Sequence, residues 1–130
     1  MKPLFILLFI LAACHKEETP ELKPNTVTFS GRFRAKIQKA VHIECWGSNS
    51  RHDTLPLIAL KDFICSDTGF SYTYTTNANY AYCSIKVTCL NNQFDSMYIS
   101  IQAAKDGWAT WGTCVEQETS LTNKFVFLAF

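Results

Sequence analysis

Among the 130 residues of this chain, the six cysteines can take part in the widest range of chemistry. A thiol can form a disulfide, ligate a metal, act as a nucleophile or carry a lipid. One cysteine stands by itself near the amino terminus, at position 14. The others follow much later in the chain, at Cys45, Cys65, Cys83, Cys89 and Cys114. Their positions and neighbours decide which chemistry we expect from each.

The segment before Cys14 has the pattern of a secretory signal. Lys2 supplies a positive charge, residues 4–12 are apolar, and Leu11-Ala12-Ala13 leads directly into the cysteine. Such a run is too short for a membrane span, which needs ~20 apolar residues. The pattern resembles the lipobox of bacterial lipoproteins. This implies a signal peptide over 1–13 and lipid on Cys14; plain secretion with a chance cysteine is the alternative.

Residues 14–26 are predicted to form the lipidated amino terminus and a tether. They contain two prolines and five charges but only one large apolar residue, so they cannot bury enough surface to fold alone. Lys16-Glu17-Glu18 is similar to the signal that sends some Gram-negative lipoproteins to the outer face of the outer membrane. The resemblance implies a lipid-anchored protein exposed on the cell surface; a solvated charge cluster is the alternative.

Residues 27–130 are long enough for one domain with one core. The formal net charge is +1, and loss of Lys2 with the signal leaves equal numbers of acidic and basic side chains. A neutral balance of this kind argues against a nucleic-acid partner.

Strict alternation of apolar and polar residues predicts half-buried strands over 80–90 and 97–103. Cys83, Ile85 and Val87 share one parity in the first run, and Ile99 and Ile101 share one in the second. Residues 91–95 between them predict a hairpin in which 89 pairs with 97 and 87 with 99, because both apolar faces then coincide.

Further short strands are indicated along the domain. Residues 70–75 alternate aromatic with hydroxyl side chains, 33–45 alternate apolar with polar ones, and 125–130 are apolar on both faces. A helix through Ile37, Val41 and Cys45 is the alternative for the second segment. Seven to eight short strands predict an all-β, immunoglobulin-like β-sandwich.

Several loose motifs follow this strand pattern in order. They are Val27-Thr28-Phe29-Ser30-Gly31, Ala40-Val41, Ser66 to Tyr72 with its Asp67-Thr68-Gly69 turn, and Lys105-Asp106-Gly107-Trp108. Their order resembles the transthyretin-like domains of carboxypeptidase regulatory regions and many bacterial surface lipoproteins. The resemblance implies a transthyretin-like sandwich over 27–130.

Thiols in a small exported domain favour disulfides, and the odd number after Cys14 leaves at least one unpaired. Six positions along one strand separate Cys83 from Cys89 by ~20 Å, which is too far for a bridge. Several pairings stay open. We favour Cys45 with Cys83 and Cys65 with Cys89; buried thiols without any bridge are the alternative.

Metal binding and catalysis are not expected. Zinc sites need closely spaced cysteine pairs, and none is present. His42 and Cys45 are three residues apart, which on a strand sends them to opposite faces. No carboxylate pair, phosphate loop or serine elbow is specific enough to name catalytic residues. We therefore predict no enzyme activity and no cofactor.

Three tryptophans are candidate ligand-binding residues. Trp108 and Trp111 lie in a glycine-bounded segment predicted to be a loop, and Trp46 ends a predicted strand beside Gly47. Exposed tryptophans can stack on sugar rings or anchor a protein partner. The alternative is that they cap the open ends of the sandwich.

A basic stripe runs through Arg32, Arg34, Lys36 and Lys39. It fits a solvated edge strand whose charges prevent strand-to-strand aggregation. Contact with the phosphates of the outer leaflet, or with an acidic partner, is the alternative.

These observations together predict a membrane-anchored lipoprotein whose domain is a noncatalytic binding, adhesion or envelope-assembly module. The expected partners are the membrane, through the lipid, and an envelope protein or a glycan. A carbohydrate-binding accessory lipoprotein and a small secreted enzyme or inhibitor are the alternatives.

Overall fold

The computed structural model describes residues 24–49, 57–103, 108–114 and 117–126, with side chains through 103 and from 117 to 123. Within these ranges the chain forms strands, and none of the described residues belongs to a helix that could cross a membrane. The strands are β1 (Asn25–Phe33), β2 (Lys39–Ser48), β3 (Leu57–Cys65), β4 (Gly69–Thr76), β5 (Tyr80–Cys89), β6 (Met97–Ala103), β7 (Trp108–Cys114) and β8 (Glu118–Val126).

The strands form two four-stranded antiparallel sheets that pack face to face as a β-sandwich. Sheet A has the order β4-β1-β6-β7, and sheet B has the order β3-β2-β5-β8. The predicted all-β sandwich is therefore confirmed. The segment 33–45, which the sequence left open between helix and strand, is strand in part: 39–45 belong to β2, Phe33 ends β1, and 34–38 connect the two. β1 begins at Asn25, two residues before the predicted domain start.

Inward-facing residues of both sheets fill one core, since every second residue of β1, β2, β5 and β6 is buried. This alternation is the period-two pattern of strands with one face on a core. The largest fully buried apolar side chains are Phe29, Ile43, Ile85, Met97, Ile99 and Ile101.

A disulfide joins Cys45 of β2 to Cys83 of β5, as the sequence predicted. The two residues are directly opposite in the register, and their α-carbons are 4.3 Å apart. Tyr74 of sheet A reaches across the core to contact both sulfurs, and its ring stacks on Phe29. Burial raises the pKa of the Tyr74 phenol. A bridge of this loop length contributes ~2–4 kcal/mol to stability.

The predicted bridge between Cys65 and Cys89 is wrong: both side chains are buried, and neither is bonded to the other. Both residues are paired with Lys39, Cys65 from β3 and Cys89 from β5. They are therefore two strand spacings apart, ~10 Å, whereas a disulfide needs α-carbons within ~7 Å. The Cys89 sulfur instead lies 3.8 Å from the Met97 sulfur across the core.

The predicted hairpin between 80–90 and 97–103 is also wrong. β5 belongs to sheet B and β6 to sheet A, so residues 90–96 cross from one sheet to the other. Asn91 and Asn92 make the turn with positive φ of 58° and 53°, a conformation that asparagine tolerates well. The two apolar faces do meet, but across the core and not side by side. The alternation of apolar and polar residues is the same whether two strands pair within one sheet or pack against each other across the core.

The basic stripe does not lie on an edge strand. β1 is a central strand, between β4 and β6. Arg32 lies near its end, and Arg34 and Lys36 are exposed in the connection to β2. Lys39 is fully buried. The reason is that the chain leaves sheet A after Phe33, so the basic residues do not share one strand.

Lys39 and Asp95 form a buried ion pair at 2.9 Å, with 0% and 1% of their side chains exposed. Lys39 Nζ also donates to the carbonyls of Ala35 at 2.9 Å and Ile37 at 3.1 Å, and it lies 4.4 Å from the centre of the Phe33 ring. The Ala35 amide donates to both oxygens of Asp95, at 3.0 and 3.1 Å. The pair therefore ties the β1–β2 connection to the β5–β6 connection.

Removing one partner of this ion pair should destabilise the fold strongly. Burial by itself would raise the pKa of Asp95, but hydrogen bonds from Lys39 and the Ala35 amide lower it below its usual value. We expect Asp95→Asn to destabilise the fold by ~3–5 kcal/mol at pH 7 in urea denaturation, because it leaves the Lys39 charge buried without its counter-ion. A loss below ~0.5 kcal/mol, the scale of a neutral surface change, would contradict the assignment.

The same pair predicts a pH dependence. A carboxyl whose pKa is lower in the folded state stabilises the fold above its unfolded pKa, and this stability is lost as pH falls through the folded value. The loss should therefore occur below about pH 4. The control is Lys39→Met combined with Asp95→Leu, which should show a shallower loss of stability in acid than the natural chain.

Candidate interaction surface

The outer face of sheet B carries exposed apolar side chains. β3 is an edge strand, and its outward-facing Leu57, Leu60 and Ile64 are 49%, 52% and 56% exposed. The core lies on the opposite face of the sheet, so these side chains take no part in it. Contiguous exposed apolar surface on a soluble domain commonly marks an interaction site.

Ile64 borders a groove on this face, of about 430 Å³ and open to solvent. We call it the sheet B groove. The outward-facing side chains that line it come from β2, β3 and β5, and they are Ala40, His42, Asp62, Ile64, Lys86 and Thr88. The register places them in two neighbouring rows: one contains Ile64, Ala40 and Thr88, and the other contains Asp62, His42 and Lys86. The groove thus has an apolar row beside a charged one.

His42 is held between two carboxylates. Its Nδ1 lies 2.6 Å from Asp62, and its Nε2 lies 2.9 Å from Glu44. The hydrogen bond with Asp62, followed by that with Glu44, raises the pKa of His42 above its ordinary value. On the next strand, Lys86 pairs with Glu118 at 2.8 Å. The side chains of these pairs are partly exposed, so each pair contributes little to the stability of the fold. The pairs instead hold charged groups in set positions on the outer face of sheet B.

This arrangement suits binding of an amphipathic partner. Both ring nitrogens of His42 are in contact with carboxylates, so the ring bridges two acidic side chains. Simple addition of a partner strand to the β3 edge is opposed by Lys61, an exposed charge at an inward-facing position of that strand. The surface therefore favours contact through side chains over the face of the sheet.

The described residues contain no group of three His, Cys, Asp or Glu side chains placed to hold a metal ion. His42 and Cys45 lie on opposite faces of β2, as their spacing predicts: Cys45 is in the core and His42 is on the outside.

The tryptophans are placed differently from the prediction. Trp46 is half-buried within β2, which continues to Ser48. Trp108 and Trp111 lie in β7, not in a loop, and are paired with Ala103 and Ser100. The side chains of β7, including that of Cys114, are outside the described part of the chain. The predicted lipidation site Cys14 and the predicted export signal Lys16, Glu17 and Glu18 also lie outside it.

Sequence reasoning missed Leu60 and Ile64 of β3. The apolar residues of 57–65 are interrupted by Lys61-Asp62 and follow neither strand nor helix periodicity clearly. The pattern is irregular because β3 lies at the edge of the sheet, where side chains on either face of the strand can be exposed. A signal was nevertheless present: apolar residues occur on both parities of a short segment.

Comparison of the chain with protein-family models, curated proteins and solved structures finds no match in any of the three. The function must therefore be argued from the residues and geometry described above.

The carboxylates around His42 predict its titration. We expect a pKa above the ordinary ~6.5 in an NMR titration of the folded chain. Asp62→Asn should lower this pKa more than Glu44→Gln does, because the Asp62 contact makes the larger contribution. The raised pKa implies that the cluster stabilises the fold at low pH and loses this effect as pH rises through the folded pKa. A pKa below 6.5 in the natural chain would contradict the geometry.

Proposed function

We propose that this protein is a lipoprotein of a Gram-negative outer membrane, exposed on the cell surface and anchored by lipid on Cys14. Its β-sandwich is a noncatalytic binding module for another protein of the envelope. The anchor is supported by Leu11-Ala12-Ala13-Cys14 and the apolar run before it. Surface exposure is supported by Lys16-Glu17-Glu18. The transthyretin-like resemblance, which includes many bacterial surface lipoproteins, agrees with both.

The observation that carries the binding role is the sheet B groove. Its apolar row ends at Ile64, and more than half of the surface of this residue is exposed. The charged row of Asp62, His42 and Lys86 lies beside it. An apolar centre with a polar margin is the usual composition of a protein–protein contact. Leu60, on the same strand and similarly exposed, extends this contact along β3.

The anchor is tested with two cysteine variants. We expect the natural chain to be found in the membrane fraction with the mass of a lipidated Cys14. Cys14→Ala should remove both the added mass and most of the membrane association, because acyl chains each bury many methylene groups in the bilayer. Cys65→Ala, which removes a buried thiol elsewhere, is the matched control and should leave both unchanged. An unmodified Cys14 in membranes would contradict the proposal.

The binding role is tested by photo-crosslinking in intact cells. A photoreactive side chain at Ile64 should give a discrete adduct with one envelope protein. The same side chain at Thr73, exposed on the outer face of sheet A, is the control and should give about a tenth as much or less. Asp62→Ala in the Ile64-labelled chain should weaken the adduct by removing a charge from the groove. Equal labelling at both positions would contradict a specific role for the groove.

A further inference from the structure

Among the described residues, the two ends of the sandwich differ in charge. The terminal end is where β1 begins and β8 ends, and the register places Trp46, Ser48, Leu57, Tyr80 and Tyr82 there. The opposite end, which we call the crossover end, holds the connections 34–38, 66–68 and 90–96. Charged residues at the crossover end are Arg32, Arg34, Lys36, Lys39, Asp67, Asp95 and Glu118. Among the described residues of the terminal end, Lys124 is the one charged residue.

The terminal end is apolar and aromatic where its side chains are described. Leu57 and Ile58 are 49% and 38% exposed at the start of β3. Trp46 is paired with Leu57 on one side and Tyr82 on the other, and both aromatic residues are half-buried. Residues 50–56 and 104–107 lie outside the described part of the chain.

The chain enters the domain at this same end. Asn25 opens β1, and its side-chain amide donates to the Ala78 carbonyl at 3.2 Å, which fixes the entry point beside the β4–β5 connection. Cys14 and Asn25 are eleven positions apart in the sequence. Even an extended chain of that length reaches ~34 Å at ~3.1 Å per residue, little more than the ~27 Å length of β1. A lipid on Cys14 would therefore keep the terminal end closest to the bilayer.

We propose that the terminal end rests on the lipid surface of the membrane that anchors the chain. Leu57 and Ile58 enter the boundary between headgroups and acyl chains, and Trp46 and Tyr82 lie at the headgroup level, where aromatic side chains are favoured. The exposed charged residues of the crossover end then face water. The inference rests on the proposed lipid anchor.

This orientation also places the sheet B groove. Ile64 is seven residues along β3 from Leu57, which corresponds to ~23 Å at ~3.3 Å per residue. The groove is therefore held away from the bilayer, where an envelope partner can reach it. One face thus serves two contacts, with lipid at one end of β3 and protein at the other.

The test compares two aspartate variants at opposite ends of one strand. The full chain is purified from membranes and reconstituted into vesicles of phosphatidylethanolamine, phosphatidylglycerol and lipopolysaccharide, with some phospholipids brominated near the headgroup. Quenching of tryptophan fluorescence by the bromine reports contact with lipid. Leu57→Asp changes the terminal end, and Ile64→Asp, of similar exposure, is the matched control at the other end.

We expect quenching in the natural chain, about half of it or less in Leu57→Asp, and no change in Ile64→Asp. Circular dichroism checks that each variant is folded; Leu57→Ser, a milder change at the same exposed position, replaces Leu57→Asp if it is not. Equal loss in both variants, or no quenching in a natural chain that carries lipid, overturns the inference.

Intact mass of the same samples separates this outcome from failure of the anchor. A chain without lipid on Cys14 that is still quenched, and that loses quenching only in Leu57→Asp, refutes the anchor and supports the lipid-facing end. A lipidated chain that is quenched equally with and without the Leu57 change supports the anchor and refutes the lipid-facing end.

Discussion

The buried ion pair of Lys39 and Asp95 is the interaction that organises one end of this sandwich. It brings together two connections that pass between the sheets, and each partner is satisfied by backbone groups as well as by the other charge. Phe33 lies over the lysine, and Phe70 packs between Phe33 and Phe63. The amino-terminal entry and the end of β8 lie together at the other end of the sandwich.

The two ends of the sandwich, which lie at opposite ends of the strands, carry different kinds of surface. Among the described residues, charges are concentrated at the crossover end, and apolar and aromatic side chains are found at the terminal end, where the chain enters the domain. The outer face of sheet B passes from one kind of surface to the other. A lipid-anchored module can use such a gradient, because the tether selects which end meets the bilayer and leaves the groove around Ile64 free for a protein partner.

The fold was predictable because alternation directly records which side of a strand is buried. Residues 83–89 and 97–103 follow it without exception, and the opposed positions of Cys45 and Cys83 make their disulfide the natural pairing. Sheet membership was not predictable, since a face looks the same whether its neighbour lies beside it or across the core. This explains the wrong hairpin. The wrong pairing of Cys65 with Cys89 has another cause, because both residues lie in sheet B and the sequence does not reveal that β2 lies between their strands. The basic neighbours of Lys39 in the sequence predicted an exposed position for it. Its burial depends on Asp95, which is distant in the sequence. The exposed Leu60 and Ile64 reflect an edge position that only the topology reveals.

The most direct measurement is hydrogen–deuterium exchange of the lipidated chain in vesicles, compared with that of the Cys14→Ala chain in buffer without lipid. Two connections of similar character serve as reporters: residues 77–79 at the terminal end and residues 91–94 at the crossover end. Our account predicts slower exchange in vesicles at 77–79 and at residues 48–49, with 91–94 unchanged. Slower exchange at 91–94, or no difference between vesicles and buffer at the terminal end, would contradict it.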